Sequence, residues 1–373
     1  MHILFAGGGT AGHINPALAV AGYIRERHPD AHISYIGTAD KLESVLVPEK
    51  GYNFRSITVA GFQRKLTVKN IGRNISAASK AVTSSFKVRK LLKELQPDVV
   101  VGTGGYVSGP VLSQAAKMGF KTAIHEQNAF PGVTTKMLVN NVDKVMLAMP
   151  AAKKYLNLKR EPIVTGNPVR QELTILSRHQ ARAKLGIPDD VPLLLSFGGS
   201  LGARPINEAV VELIKWHSKD GRYYHIHGTG KSGYDTTINA LKQAGITCND
   251  KIRVTEYIND MDVCMAAADL VICRAGAITL SELQVCGKPA ILIPSPYVAE
   301  NHQYHNALSL KDCGAAELIE EKNLNGQSLI YAVSGLAQNK AKLDKMSNAA
   351  KNSAIVDANE RIYKVIMQLY TGS

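Results

Sequence analysis

Short apolar runs recur along the chain, most closing on glycine or a polar residue. A longer stretch with apolar positions at three- and four-residue steps follows each. HILFAG, HISYIG, VVVGTGG, TAIHEQ and KVMLAM read as strands in the first half, with helical patterns between them. This alternation predicts a mainly parallel sheet covered by helices on both faces. The scheme then restarts. PLLLSFGGSLGARPINEAVVELI, from Pro192 to Ile214, repeats the opening strand, glycine loop and helix, and YYHIHG, IRVTEYI, LVICRAG and PAILIPS continue it. Two Rossmann-like units account for this more simply than one long sheet. The boundary is expected near VTGNPVRQEL, where Gly166, Asn167 and Pro168 favour a turn over a helix. The last segment, SAIVDANERIYKVIMQLY, reads as a helix that packs back across the junction.

Open parallel sheets bind ligands beyond the C-terminal ends of their strands, so the loops there carry the candidate chemistry. The first, GGGTAGH, has Gly7, Gly9 and Gly12 in the G-x-G-x-x-G spacing that brings backbone N–H groups close to a ligand. A dinucleotide site also wants an acid closing the second strand, but HISYIGTAD has none before Asp40. His13 stands where dinucleotide loops keep small residues. It can serve as a general base, as a phosphate or hydroxyl partner, or as a cap on the first helical turn. GTGGYVSGP is expected to expose Tyr106 and Ser108 on a tight turn. HEQNAFPG crowds His125, Glu126, Gln127 and Asn128, either as a hydrogen-bonded knot or as partners for sugar hydroxyls.

In the second half, Ser200 of FGGSLGA suits a phosphate oxygen at a helix start. Arg274 and the Gly276–Thr279 backbone can meet phosphates, and Glu282, one turn later, can accept both hydroxyls of a ribose. His302, Gln303 and Asn306 offer further polar contacts. Two apparent motifs fall away. HGTGKSG lacks the first glycine of a P-loop, since position 225 is histidine. Asp260-x-Asp262 precedes an apolar helical run, so N-terminal capping by Asp260 is expected and no metal.

Composition sets outer bounds. The 373 residues are 45% hydrophobic, with no apolar run of the ~18 residues that suggest a spanning helix. No secretory signal opens the chain, and the five scattered cysteines form no C-x-x-C pair, so free thiols and a cytoplasmic location are expected. The net charge of +13 is uneven: residues 1–165 hold 22 Lys+Arg against 10 Asp+Glu, while residues 166–373 are nearly balanced. Phe62 to Glu94 alone holds nine basic residues and one acidic one, with Ile71, Ile75, Ala78, Val82 and Phe86 on one helical face. That face either packs on a core or dips into an anionic bilayer while Lys65, Lys69 and Arg73 meet headgroups. Nucleic acid ranks last, because no recognition motif accompanies the charge.

Taken together and in order, GGGTAGHINPALA, GTGGYVSGP, HEQNAFPG, GNPVR, GGSLGA, RAGAITLSELQVCGKPAILIP and HQYHNA resemble the MurG family over most of the chain. These bacterial transferases add N-acetylglucosamine to the lipid-linked muramyl-pentapeptide precursor of peptidoglycan, which makes peptidoglycan synthesis, and with it cell shape and division, the expected setting. The resemblance implies an α/β fold of GT-B type, two Rossmann-like parallel-sheet domains separated by a cleft. Residues 1–165 with a returning helix, about 353–373, would take the acceptor and the membrane, and residues 166–352 the donor UDP-N-acetylglucosamine.

By motif, the resemblance assigns Ile258 to the uracil through its backbone, and Ser200, Ala277, Ile278 and Thr279 to the diphosphate. Glu282 falls to the ribose and Arg170 to the UDP. Gln303 and Asn128 fall to the N-acetylglucosamine, together with Thr10, Ala11 and Gly12. His13, Tyr106 and Glu126, with Gly9 and Gly104, fall to the acceptor side. The chain departs from some relatives in carrying His302–Gln303 where they have Gln–Gln.

Inverting displacement is then expected, onto the 4-hydroxyl of undecaprenyl-pyrophosphoryl-muramyl-pentapeptide at the cytoplasmic membrane face. His13 is the first candidate for the base and Glu126 the alternative, as base or as orienting group. Loop amides, a helix dipole and Arg274 would stabilise the leaving UDP without an obligatory cofactor. Other cell-wall synthesis proteins are conceivable partners. The alternatives are another GT-B transferase with a lipid acceptor and a non-catalytic UDP-sugar-binding protein at the membrane surface.

Overall fold

A computed structural model describes residues 1–59, 84–199 and 201–372. The chain divides into two compact units, Met1–Val169 with Asp357–Ser373, and Arg170–Val356.

In the first unit, strands β1 (His2–Ala6), β2 (His32–Gly37), β3 (Asn53–Ser56), β4 (Val99–Gly102), β5 (Lys121–Glu126), β6 (Lys144–Leu147) and β7 (Ile163–Val164) form one sheet. Every pairing is parallel and the order is β3-β2-β1-β4-β5-β6-β7. The helices are α1 (Ala11–Arg27), α2 (Glu43–Glu49), α3 (84–95), α4 (Gly105–Lys117), α5 (Val133–Leu138) and, from the far end of the chain, α14 (Ala358–Thr371).

The central strands read as unbroken apolar runs because helices cover both faces of the sheet. Leu4, Ala6, Val100 and Ile124 point into one core, with Val107, Val111 and Leu112 of α4. The alternate residues Ile3, Phe5, Val99, Val101 and Ala123 point into the other. Ile362, Val365, Ile366 and Leu369 of α14 complete that second core. Polar contacts fasten the same helix: the Tyr23 hydroxyl donates to Glu360, and His28 Nε2 lies 2.8 Å from the Tyr363 hydroxyl.

The second unit repeats the plan. Strands β8 (Leu193–Phe197), β9 (Tyr224–Gly228), β10 (Ile252–Thr255), β11 (Leu270–Cys273), β12 (Ala290–Leu292) and β13 (Ala316–Leu318) pair in parallel, in the order β10-β9-β8-β11-β12-β13. Its helices are α6 (Arg178–Leu185), α7 (Arg204–His217), α8 (Tyr234–Gln243), α9 (Met261–Ala267), α10 (Ala277–Cys286), α11 (His302–Asp312), α12 (Gly326–Ala337) and α13 (Lys340–Asn352).

In each sheet the first strand lies between the second and a later one, so the winding reverses beside it. Loops leaving the strands on either side of that reversal diverge and leave room for a ligand. They are the loops after β1 and β4 in one unit and after β8 and β11 in the other, the stretches richest in glycine.

Candidate functional site

In the first unit β1 ends at Ala6, and Gly7 to Thr10 lead into α1 without a side-chain cap at Thr10. Gly9, Thr10, Ala11 and Gly12 are exposed, so the N–H groups of the first turn face outward. His13 follows, partly buried. Its Nδ1 lies 3.1 Å from the Thr103 carbonyl and 3.2 Å from Gln127 Oε1, while Nε2 has no hydrogen-bond partner among the described residues. The Thr103 hydroxyl donates to the His13 carbonyl at 2.7 Å, which pins the backbone as well. Gly104 makes this approach possible: at φ +102°, a Cβ there would stand 2.6 Å from His13 Nδ1.

The neighbouring loops differ from expectation in two places. Gly104 and Gly105, both at positive φ, turn the chain directly into α4, so GTGGYVSGP is mostly helix. Tyr106 is 70% exposed, but Ser108, read as exposed, is fully buried. One turn into α4, the Ser108 hydroxyl accepts from Gly104 N at 2.9 Å and lies 2.6 Å from the Ala6 carbonyl. The second difference concerns Glu126. Its Oε1 accepts from the backbone and side chain of Asn128 at 3.0 and 3.1 Å; its Oε2 accepts from Gly132 N at 2.9 Å and the Thr135 hydroxyl at 2.6 Å. A buried carboxylate accepting four bonds holds the HEQN loop on α5, and as a base it would have to surrender them. Of the two arrangements expected for this loop, the hydrogen-bonded knot is the one found.

In the second unit α10 begins at Ala277 behind Gly276, so Ala277, Ile278 and Thr279 form the helix's first turn. Glu282, on the same helix, is buried, and Arg170 Nε donates to it at 3.0 Å. Burial pushes this carboxyl above its ordinary value, and the Arg170 charge and hydrogen bond pull it back. Gln303 Oε1 accepts from Ser295 N at 2.9 Å, an orientation that leaves its two amide N–H donors for a ligand. Asn306 donates to the Ala275 carbonyl at 3.1 Å and so ties α11 to the loop before α10. The Ile258 side chain is buried against Gly228.

Arg274 is not set toward a phosphate. Its guanidinium pairs with Glu321 and donates to the Ile293 carbonyl at 3.1 Å, as a strut between β11 and the turn at Glu321–Asn323. Asp260 makes no capping bond; it pairs with Arg253 instead. Ser200, Lys65, Lys69, Ile71, Arg73, Ile75, Ala78 and Val82 lie outside the described residues. Phe86, on α3, is 69% exposed while Val88, Leu91 and Leu92 of that helix are buried, so the core takes a different face from the one carrying Phe86.

Comparison with known proteins identifies the family. Residues 3–147 match the glycosyltransferase family 28 N-terminal domain, and residues 193–362 match the glycosyltransferase family 28 C-terminal domain. Over 369 residues the chain is 47% identical to the UDP-N-acetylglucosamine--N-acetylmuramyl-(pentapeptide) pyrophosphoryl-undecaprenol N-acetylglucosamine transferase of Acetivibrio thermocellus, covering 99% of this chain and 98% of that one. It is 45% identical to the protein of the same name from Ruminiclostridium cellulolyticum, covering 99% and 100%. The chain belongs to this family of N-acetylglucosamine transferases. The crystal structure of Acinetobacter baumannii MurG superposes with a TM-score of 0.80 at 28% identity, over 98% of this chain and 99% of that one. The fold is also shared with the kitacinnamycin glycotransferase, at a TM-score of 0.71 and 16% identity.

For a member of this transferase family, two residues outside the motif assignments now matter. Glu43 is fully buried beneath the first glycine loop. It accepts from Gly9 N at 3.1 Å, Thr38 N at 3.0 Å and the Thr38 hydroxyl at 2.8 Å, and a side chain on Gly8 would collide with it. It is the acid missing from the end of β2, placed three residues past Asp40 and turned toward the protein. Gln127 is the other, and its contacts orient His13. No periodicity signals Glu43, whereas Gln127 was visible as a crowded polar residue without an evident task.

Proposed function

We propose that this chain catalyses inverting transfer of N-acetylglucosamine from UDP-N-acetylglucosamine to the 4-hydroxyl of the undecaprenyl-pyrophosphoryl-linked muramyl-pentapeptide. The observation that carries the reading is the overlap, at 47% identity and almost end to end, with a relative whose name states that reaction. The roles that this reading gives the residues divide between the two units. In the second unit, Glu282 accepts ribose hydroxyls, the first turn of α10 lies against the diphosphate, Ile258 meets the uracil through its backbone, and Gln303 donates to the sugar. In the first unit His13 takes the acceptor proton through Nε2, with Tyr106 and the Gly9–Gly12 and Gly104 backbone beside it. As the donor's anomeric carbon becomes oxocarbenium-like, the attacking hydroxyl grows acidic, and the lone pair on the imidazole accepts its proton. Helix amides and dipole stabilise the charge building on UDP, with no obligatory metal.

The lipid-linked acceptor calls for a membrane surface. No described helix is long and apolar enough to cross a membrane. Peripheral attachment at the cytoplasmic face fits the basic excess of residues 1–165 and the exposed Phe86 beside Lys87, Arg89 and Lys90.

Radiolabelled UDP-N-acetylglucosamine and the polyprenyl-linked acceptor test the reading directly. Wild type should form the disaccharide lipid. His13→Ala should lower kcat at least ~100-fold, within the range for a lost general base, with donor binding within about threefold of wild type. Full activity in His13→Ala removes the base assignment, and no transfer by the wild-type chain removes the function. Vesicle flotation tests attachment: binding should rise with anionic lipid, and indifference to lipid charge contradicts it.

A further inference from the structure

Gln127 and His125 connect His13 to the turn at Gly166, and the chemistry of each contact sets the direction of the next. His125 Nε2 lies 2.9 Å from the Gly166 carbonyl, which can only accept, so Nε2 carries a proton. His125 is buried, and burial pushes its imidazole below its ordinary value against the raising effects of the Gly166 carbonyl and Glu126. It is therefore neutral, and its Nδ1 is bare. Gln127 Nε2 lies 3.0 Å from that Nδ1 and 3.1 Å from the His125 carbonyl, two acceptors, so the amide nitrogen of Gln127 must face them. Asn167 donates to the Gln127 carbonyl at 3.1 Å and holds its backbone. Gln127 Oε1 is left facing His13 Nδ1, which also meets the Thr103 carbonyl. Faced by two acceptors, His13 Nδ1 carries the proton, and the lone pair of the neutral ring is on Nε2.

We infer that His125 and Gln127 are positioning residues, which lock His13 as the Nδ1–H tautomer so that bare Nε2 can accept the proton of the attacking hydroxyl. The inference deepens the proposed transferase reading and rests on it for the role of Nε2, but the tautomer itself is a property of the first unit alone. Free histidine favours the opposite tautomer, so without the string much of the neutral protein would present Nε2–H, a donor where an acceptor is needed. The relay is also uncharged. The two carboxylates that face these loops are turned away from His13, Glu126 toward Asn128, Gly132 and Thr135, and Glu43 toward Gly9 and Thr38. Nothing in the string stabilises an imidazolium as a carboxylate partner would. The proton is taken by a base whose orientation is fixed in advance.

The test uses full-length protein labelled with ¹⁵N-histidine, with the His13 signals assigned by their loss in His13→Gln. Long-range proton–nitrogen correlation above pH 8 should show His13 with its proton on Nδ1. A proton on Nε2 overturns the proposal, and this arm needs no variant to fold. The isosteric Gln127→Glu then places a carboxylate against Nδ1. The His13 titration should rise by about one unit, as an adjacent opposite charge requires. The acidic limb of kcat/KM should rise with it, while the KM for UDP-N-acetylglucosamine changes less than threefold. A purely structural role for Gln127 moves neither midpoint, and that result overturns the proposal. If the titration moves and the limb stays, the relay stands and the base assignment of His13 fails.

Discussion

Two hydrogen-bonded strings that contain histidines run through the described residues, one in each unit, and they end differently. In the first unit the string starts at the Gly166 carbonyl, passes through His125 and Gln127, and ends at His13, whose Nε2 is left unbonded. In the second, His217 Nε2 lies 3.1 Å from His225 Nδ1, and the Ser196 hydroxyl lies 2.8 Å from both His225 Nε2 and His227 Nδ1. All four of these residues are buried, and His227 Nε2 ends without a partner inside the core. Residue type does not separate the two. What separates them is where the last nitrogen points, which follows from topology. His13 lies on a helix that begins beside the winding reversal of its sheet, whereas His225 and His227 lie within a strand and His217 on the helix that covers it. A string whose last nitrogen lies at the start of such a helix is open to accept a proton; one that ends in the core holds side chains in register.

Blocking the open end should have the largest effect. Gly104→Ala sets a methyl group 2.6 Å from His13 Nδ1 at a φ of +102°, so the ring must move. Displacement on that scale costs about 100-fold in a positioned proton transfer. The loss should appear in kcat, with the KM for UDP-N-acetylglucosamine within about threefold of wild type. Near-normal kcat would mean that His13 is not held as described. The same operation on the closed string should leave chemistry alone and cost stability instead. His225→Leu strands His217 Nε2 in the core and leaves the Ser196 hydroxyl with His227 alone, a loss of about 2 kcal/mol. Urea denaturation measures it, and at temperatures where the variant is folded kcat should be unchanged. A kcat that fell with stability intact would erase the distinction between the strings.

The two cases also show what the amino-acid sequence discloses. Both sheets, most of the central strands and both glycine loops are legible because burial on two faces writes unbroken apolar runs and turns demand glycine. The short strands β3, β7 and β13 are not, since two to four residues at a sheet edge carry too little pattern. His13 was legible as an anomaly, a ring where bare backbone was expected. The assignment of Arg274 to a phosphate failed because its partner, Glu321, is 47 residues away, and no local pattern links them. The four donors around Glu126 and the Arg253 partner of Asp260 were hidden for the same reason: a carboxylate's surroundings arrive through the fold.

Acid separates the strings by a third route. Burial lowers His217 and His227 to about 4, and holds His225 well below its ordinary value with help from its two histidine neighbours. Above pH ~6.5 all three are neutral whether the chain is folded or not, so they leave stability unchanged. Below it the unfolded chain takes up protons that the folded core refuses. Stability should fall through the window from about 6.5 to about 4, by about 1.4 kcal/mol per pH unit for each histidine that is withheld. Urea midpoints measured from pH 7.5 to 4.5 should drop for wild type and drop less for His225→Leu. Parallel curves would mean that the closed string is not the titrating element.

The smallest effect concerns the place where the second unit is proposed to meet its donor. That place is the Glu282–Arg170 pair, and there too a buried group is held ready by a more exposed one. Burial raises the Glu282 carboxyl while the Arg170 charge and hydrogen bond work against that rise, and the ionised form offers both of its oxygens as acceptors. Arg170 is half exposed, so solvent screens its charge and its removal should be mild. Arg170→Ala should raise the KM for UDP-N-acetylglucosamine roughly threefold at pH 8, a small loss of binding. At pH 6 the increase should be larger, because without the guanidinium more of the buried carboxyl is protonated. Glu282→Gln cannot titrate, so its KM ratio to wild type should vary little over that range. If the Arg170→Ala ratio were also flat, Arg170 would be acting by touching the nucleotide itself. The second unit's open end would then be a pair of independent contacts, with no counterpart to the relay that orients His13.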